Sequence, residues 1–109
     1  MGITKTELFE QRQNQLAALA KAIGHPARVA ILEYLLEHQT CISTELADEL
    51  PLSPSTINQH LKELKQAGLI KGEIEGPKVN YCIDADAWGE ARQLLERLFG
   101  KYTPPPSCC

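Results

Sequence analysis

The stretch LSPSTINQHLKELKQAGL at positions 52–69 decides the fold. Ser53 followed by Pro54 is a helix start signal, because a capping hydroxyl precedes a proline at the first helical position. Gly68 supplies the C-terminal stop. Between these signals, apolar residues recur at helical spacing and predict one buried face. They are Ile57, Leu61 and Leu64. The stretch therefore predicts an amphipathic helix with a polar outer face.

Further elements are predicted on both sides of this helix. Apolar spacing and start signals indicate helices over about 6–23, 26–38, 44–50 and 84–99, with Cys41-Ile42 as a short extended piece. Two strands are predicted at 69–75 and 78–83, around the turn Gly76-Pro77. Two short helices joined by a tight turn and followed by a hairpin form a winged helix-turn-helix. The predicted fold is mainly α with a small β-hairpin, and residues 53–66 are its recognition helix.

Composition limits the classes of protein that the chain can be. Its 109 residues are 43% hydrophobic and carry a net charge of −3, which predicts one small domain over 1–100 and a Pro-rich tail over 101–109 that ends in Cys-Cys. No run reaches the roughly 20 apolar residues that a membrane-spanning helix needs, and the N-terminus does not resemble a signal peptide. We expect a cytoplasmic protein without a membrane partner and with four reduced thiols.

The outer face of the predicted recognition helix has the chemistry of a DNA-reading surface. Its residues are Ser55, Thr56, Asn58, Gln59, Lys62 and Lys65. Hydroxyls bond phosphates or base edges, and Asn or Gln can pair with adenine through two hydrogen bonds. A purely solvated helix face would carry more Glu and Lys. These residues therefore favour double-stranded DNA as the partner.

The predicted hairpin adds little positive charge, which favours a dimer. Lys71 and Lys78 are offset there by Glu73 and Glu75, and phosphate neutralisation dominates DNA affinity. A homodimer would double the contacts and place two recognition helices about one DNA turn apart. The first and fifth predicted helices carry more large apolar residues than a small core needs, although these residues could also complete that core. They are Leu8, Phe9, Trp88, Leu95, Leu98 and Phe99.

Three segments together resemble the ArsR/SmtB family of bacterial repressors. They are AIGHPARVAIL at 22–32, LSPSTINQHLKEL at 52–64 and AGLI at 67–70. The resemblance covers about 16–99 and implies a homodimer built on the first and fifth helices, which binds an operator until a metal or metalloid ion releases it. It also implies which side chains contact DNA. They are Ser53, Ser55, Thr56, Asn58, Gln59 and His60, to which we add Lys62, Lys71 and Lys78.

The chain departs from the family at the ion sensor. Many members carry Cys-Val-Cys-Asp-Leu at the start of the third helix, but Ile42 and Thr44 stand at the two cysteine positions here. A second family site places His residues along the fifth helix. This chain has Asp84, Asp86 and Glu90 there but no His.

Cysteines elsewhere offer another sensor. Cys108 and Cys109 are adjacent thiols at the end of the tail, and soft thiolates suit thiophilic ions. Arsenite prefers three thiolates, so the third must come from Cys41, Cys82 or the partner subunit. We choose Cys41, because the family senses in this region. If Ile42 points inward, Cys41 and Cys82 face the same way and are neighbours. Either residue could instead be a small buried hydrophobe.

The sequence therefore predicts a repressor rather than an enzyme, with arsenite or another thiophilic ion as inducer and not as a catalytic cofactor. A close alternative is a repressor of the same family that senses redox state or persulfide through cysteine oxidation. An oxidoreductase is disfavoured, because Cys108-Cys109 lacks Cys-x-x-Cys spacing. A winged-helix module that binds only protein is the third alternative, and salt-dependent operator binding would exclude it.

Overall fold

The computed structural model describes residues 5–38, 41–43, 51–75 and 78–106. A short 3₁₀ turn at Lys5–Leu8 precedes the first α-helix. The elements that follow are α1 (Gln11–Ile23), α2 (Pro26–His38), β1 (Ile42–Ser43), α3 (Pro54–Gln66), β2 (Ile70–Glu75), β3 (Lys78–Ile83) and α4 (Ala85–Phe99). The structure is mainly helical with a small antiparallel hairpin, as predicted. The predicted helix at 44–50 and the predicted turn Gly76-Pro77 lie outside the described residues.

Local signals explain where the helices begin. The first helix begins at Gln11, later than the apolar spacing predicted. The backbone N–H of Glu10 donates to Gln13 Oε1 at 3.0 Å and fixes the start of α1 at this point. His25 caps α2 as its Nδ1 accepts the N–H of Ala27 at 3.0 Å. Ser53 Oγ accepts the N–H of Thr56 at 3.3 Å and caps α3. In each case a polar side chain satisfies a backbone group that has no partner within the helix.

The hairpin is part of a three-stranded antiparallel sheet in the order β1-β3-β2. β1 pairs Ile42 with Tyr81 and Ser43 with Asn80, so β3 is the central strand. The sequence predicted an extended piece at 41–42 with Cys41 on the same face of the sheet as Cys82, and the pairing of β1 with β3 agrees with that placement. We call β2 and β3 together the wing.

The core lies where the first three helices meet the wing. Its members come from α1, α2, α3 and the wing, together with Leu69, which immediately precedes β2. They are Leu19, Ile31, Leu32, Leu35, Ile57, Leu61, Leu64, Leu69, Ile70 and Tyr81. All three apolar residues predicted for the inner face of α3 are present in this set. No helix in the described part of the chain is long and apolar enough to cross a membrane.

We predict that Gly72 is required for the wing. Its φ of +133° is unfavourable for other residues, and a Cβ there would overlap the carbonyl oxygen of Asn80. Gly72→Ala should lower the free energy of unfolding by more than about 1 kcal/mol. The matched control is Gly89→Ala in α4, where a Cβ meets nothing within 4 Å and the free energy should rise by up to about 1 kcal/mol. Urea denaturation measures both, and equal effects would contradict this role of Gly72.

Candidate nucleic-acid interface and cysteine pair

The N-terminal turn of α3 is held by a small network of hydroxyls. Besides accepting the N–H of Thr56, Ser53 Oγ donates to Thr56 Oγ1 at 2.9 Å and lies 3.2 Å from Ser55 Oγ. All three residues are exposed. The turn therefore presents exposed hydroxyls at the positive end of the helix dipole, a combination that attracts phosphate.

Most of the predicted DNA-contacting side chains of α3 share one outer surface. Four of them are exposed and one is half-buried, while Ile57, Leu61 and Leu64 on the opposite side are at most 3% exposed. We call these five residues the reading face. They are Ser55, Thr56, Asn58, Gln59 and Lys62. Because the apolar side is buried in the core, the reading face is oriented outward by packing.

His60 does not belong to the reading face. It is only 9% exposed, and its Nδ1 accepts a hydrogen bond from Arg28 Nε at 3.1 Å. The His25 ring lies against it, with 4.5 Å between ring centroids, and Arg28 Nη1 also donates to the carbonyl of Ala22 at 3.1 Å. The family resemblance implied that His60 contacts DNA, but the structure turns it inward to join α3 to the start of α2. Sequence reasoning missed this contact, because nothing in the chain signals a pair 32 residues apart.

Burial lowers the pKa of His60, and the positive charges of His25 and Arg28 lower it further, while Glu63 acts in the opposite direction. The folded protein therefore favours neutral His60. In the unfolded chain the pKa returns to about 6.5. The unfolded state then binds more protons at acidic pH, so this group makes stability fall as pH drops below that value.

We predict that this effect is visible between about pH 7.5 and pH 5.5. The free energy of unfolding of the wild type should fall over this window. His60→Asn should have a smaller fall, because Asn can still accept from Arg28 and does not titrate in this range. Urea denaturation at several pH values measures both slopes. Identical slopes in the two proteins would show that His60 is not the responsible group.

The wing meets α3 at Lys65, whose Nζ donates to the carbonyl of Gly72. Lys71 is exposed on β2, where a DNA backbone could reach it. The side chain of Lys78, the other predicted wing contact, lies outside the described residues. The wing is therefore fixed to the last turn of α3, at the end opposite the hydroxyl network.

Cys41 and Cys82 are joined by a disulfide bond. The expectation that all four thiols are reduced is therefore wrong for this pair, whereas the expectation that the two residues are neighbours on one face of the sheet is confirmed. The pairing of Ile42 with Tyr81, extended by one position, places Cys41 directly opposite Cys82, and their α-carbons are 4.3 Å apart. The alternation of residues around Ile42 was the signal that located this pair.

The other predicted ion ligands, Cys108 and Cys109, lie outside the described residues, and 101–106 of the tail are exposed. Within the described part of the chain, no three His, Cys, Asp or Glu side chains gather into a group that could hold a metal. In α4, Asp84 Oδ1 accepts the N–H of Ala87 at 3.2 Å and serves as a helix cap.

Large apolar side chains are exposed just before α1 and around the end of α4. Several of the large apolar residues expected at a dimer interface are exposed, whereas Trp88 and Leu95 pack against the core. The exposed ones are Leu8 (64%), Phe9 (58%), Leu98 (44%) and Phe99 (72%). Tyr102 of the tail is also exposed (69%). The alternative that these side chains complete the core therefore holds for Trp88 and Leu95 only.

Comparisons with known proteins agree on one family. Residues 25–71 match the model described as bacterial regulatory protein, arsR family. An uncharacterized HTH-type transcriptional regulator of Methanocaldococcus jannaschii is 34% identical over 88 residues, which are 81% of this chain and 99% of that protein. The HTH-type transcriptional repressor SmtB of Mycobacterium tuberculosis is 43% identical over 65 residues, or 60% of this chain and 47% of that protein.

Solved structures give the same result. HlyU from Vibrio cholerae is 30% identical with a TM-score of 0.62, covering 85% of this chain and 100% of that one. A possible transcriptional regulator for arsenical resistance is 26% identical with a TM-score of 0.60, covering 78% of this chain and 96% of that one. The two curated relatives and the protein linked to arsenical resistance are named as transcriptional regulators or repressors, which confirms the prediction of a regulator rather than an enzyme. The winged-helix fold is confirmed as well.

Proposed function

We propose that this chain, which belongs to the ArsR/SmtB family of DNA-binding transcriptional repressors, is a homodimer that releases its operator when cysteine thiolates capture a trivalent thiophilic ion, most simply arsenite. Operator binding rests on the reading face. Its hydroxyl, amide and amine groups are directed outward because the opposite side of α3 is buried in the core. These groups are suited to phosphates and to base edges in the major groove.

Dimerisation doubles the number of DNA contacts, which a single chain with little positive charge needs. The net charge is −3, so one subunit gains little from phosphate neutralisation. The exposed apolar residues near the start of α1 and the end of α4 fit a second copy, because monomers rarely leave a large apolar patch in water. A two-fold dimer through these helices would present two reading faces to successive turns of DNA.

The proposed ion site combines Cys41 with Cys108 and Cys109. Cys41 is exposed immediately before β1, in the region that leads to the predicted helix at 44–50. The reach available to the tail thiols is at most about 30 Å, the extended length of the nine residues from 101 to 109. The likeness to a possible regulator for arsenical resistance supports arsenite as the ion. The proposed place of action is the cytoplasm, where DNA and a thiol-reducing pool are both present.

The disulfide supports the chemistry of a second candidate, a repressor of the same family that senses redox state or persulfide through cysteine oxidation. The two candidates share Cys41 but differ in their response to reductant. An ion held by thiolates persists in reductant, whereas a disulfide is reversed by it.

We predict that arsenite releases the reduced protein from operator DNA through the tail thiols. Fluorescence anisotropy with DNA selected from a random pool measures binding, and a phosphine reductant is used because dithiols chelate arsenite. Wild type should lose DNA as arsenite is added, whereas Cys108→Ser/Cys109→Ser should need at least about tenfold more, since the chelating thiolates are gone. Ser107→Ala is the matched control and should behave as wild type.

Equal arsenite sensitivity of wild type and the double variant would exclude the tail as the sensor. Failure of both proteins to bind any DNA at low salt would contradict the repressor function and favour a module that binds only protein.

A further inference from the structure

The backbone, and not only the bond, keeps Cys41 and Cys82 together. Cys41 extends the β1–β3 register by one position, and the 4.3 Å between its α-carbon and that of Cys82 is close to the roughly 4.5 Å of a non-hydrogen-bonded antiparallel pair. Two thiols at such a position remain neighbours when the bond is open. The disulfide can therefore form and break without rearrangement of the sheet.

We propose that Cys41 and Cys82 form a reversible redox gate on the response to the inducing ion. In the disulfide state the protein binds its operator but has no Cys41 thiolate to offer to an ion. In the dithiol state it binds the same operator and responds to the ion. The inference rests on the proposed function for its inducer, but the redox chemistry of the pair can be measured without DNA.

A hydroperoxide is the oxidant class that fits the different exposure of the two residues. Cys41 is exposed and Cys82 is half-buried, so the Cys41 thiolate is the one that a hydroperoxide in solution can reach. Its sulfur attacks the outer oxygen, breaks the O–O bond and becomes a sulfenic acid, as one water or alcohol leaves. The Cys82 thiolate then attacks the Cys41 sulfur and displaces hydroxide, which leaves as water. Two thiols and one hydroperoxide thus give one disulfide and, for hydrogen peroxide, two waters.

The bond leaves the reading face in place. Residues 41–82 contain α3 and all of the wing except Ile83, but α3 is positioned by Ile57, Leu61 and Leu64 in the core and by the hydrogen bond from Arg28 to His60. None of these contacts involves either cysteine. Both redox states should therefore bind DNA, and the difference between them should lie in the ion response alone.

The redox gate arises because the ion and Cys82 compete for the sulfur of Cys41. An ion that needs three thiolates cannot use Cys41 while that sulfur is bonded to Cys82. An ion bound to Cys41 also occupies the thiolate that must attack the hydroperoxide, so ion binding should slow the oxidation of Cys41. The oxidised protein thus remains on its operator in the presence of the ion until a reductant opens the pair.

The test compares wild type with Cys82→Ser, both isolated without reductant and then measured with and without a phosphine reductant. DNA affinity of the wild type should agree within about threefold in the two states, because its DNA contacts are unchanged. Half-release of the oxidised wild type should need at least about tenfold more arsenite than that of the reduced protein. Cys82→Ser retains Cys41 and should respond equally with and without reductant.

Peptide mapping by mass spectrometry follows the pair directly. One equivalent of hydrogen peroxide should remove two hydrogens from the reduced wild type and link the Cys41 and Cys82 peptides, and the phosphine should reverse this change. Prior addition of arsenite should slow the linkage.

Each outcome bears on one of the two claims. Equal arsenite sensitivity of oxidised and reduced wild type, or a dependence on reductant that persists in Cys82→Ser, would overturn the gate. So would peroxide linkage of the tail cysteines in place of the pair. If reduced wild type binds DNA but ignores arsenite, the proposed inducer fails, while the mapping still decides whether the pair cycles.

Discussion

Burial of the inner side of α3 is the constraint on which the rest of the structure depends. Ile57, Leu61 and Leu64 are each at most 3% exposed, and they hold the helix against α2 and the wing. Because a helix has one rotational setting once such a stripe is buried, the polar residues between them must face solvent. The capped N-terminal turn, the wing joined at Lys65 and the contact between Arg28 and His60 all depend on that setting.

Much of the fold could be predicted because its signals are local. Ser53-Pro54 and Gly68 mark the ends of the recognition helix in the sequence, and the alternation along 79–83 indicates a strand with one buried side. His25 likewise caps α2 by accepting the N–H of Ala27, two residues away. In these cases a side chain acts on a backbone group within a few residues, so a linear pattern contains the information.

The remaining features depend on contacts between distant parts of the chain. Apolar spacing suggested a first helix from Thr6, but the bond from Glu10 to Gln13 starts α1 at Gln11. His60 occupies a helix position next to polar outward residues, and only its meeting with Arg28 turns it inward. Such contacts are set by how α2 and α3 cross, which no local pattern in the sequence specifies.

The cysteines combine ion binding by thiolates with cysteine oxidation, which the sequence analysis treated as alternatives. A thiolate at Cys41 can hold a soft ion, and the same sulfur can be bonded to Cys82. The register of β1 on β3 makes both states available to one backbone, because the two α-carbons are close whether or not the bond exists. Ion sensing and oxidation are therefore successive controls on one residue in this account.

The most direct test of the central claim is the operator affinity of Gln59→Ala beside that of Gln66→Ala. Each substitution removes an exposed glutamine side chain from α3. Gln59 belongs to the reading face, whereas Gln66 is the last residue of the helix, about two turns further on. Gln59→Ala should weaken binding by about tenfold, the effect of losing a paired contact to a base, whereas Gln66→Ala should bind as wild type. Equal affinities for the two variants would contradict the assignment of the reading face.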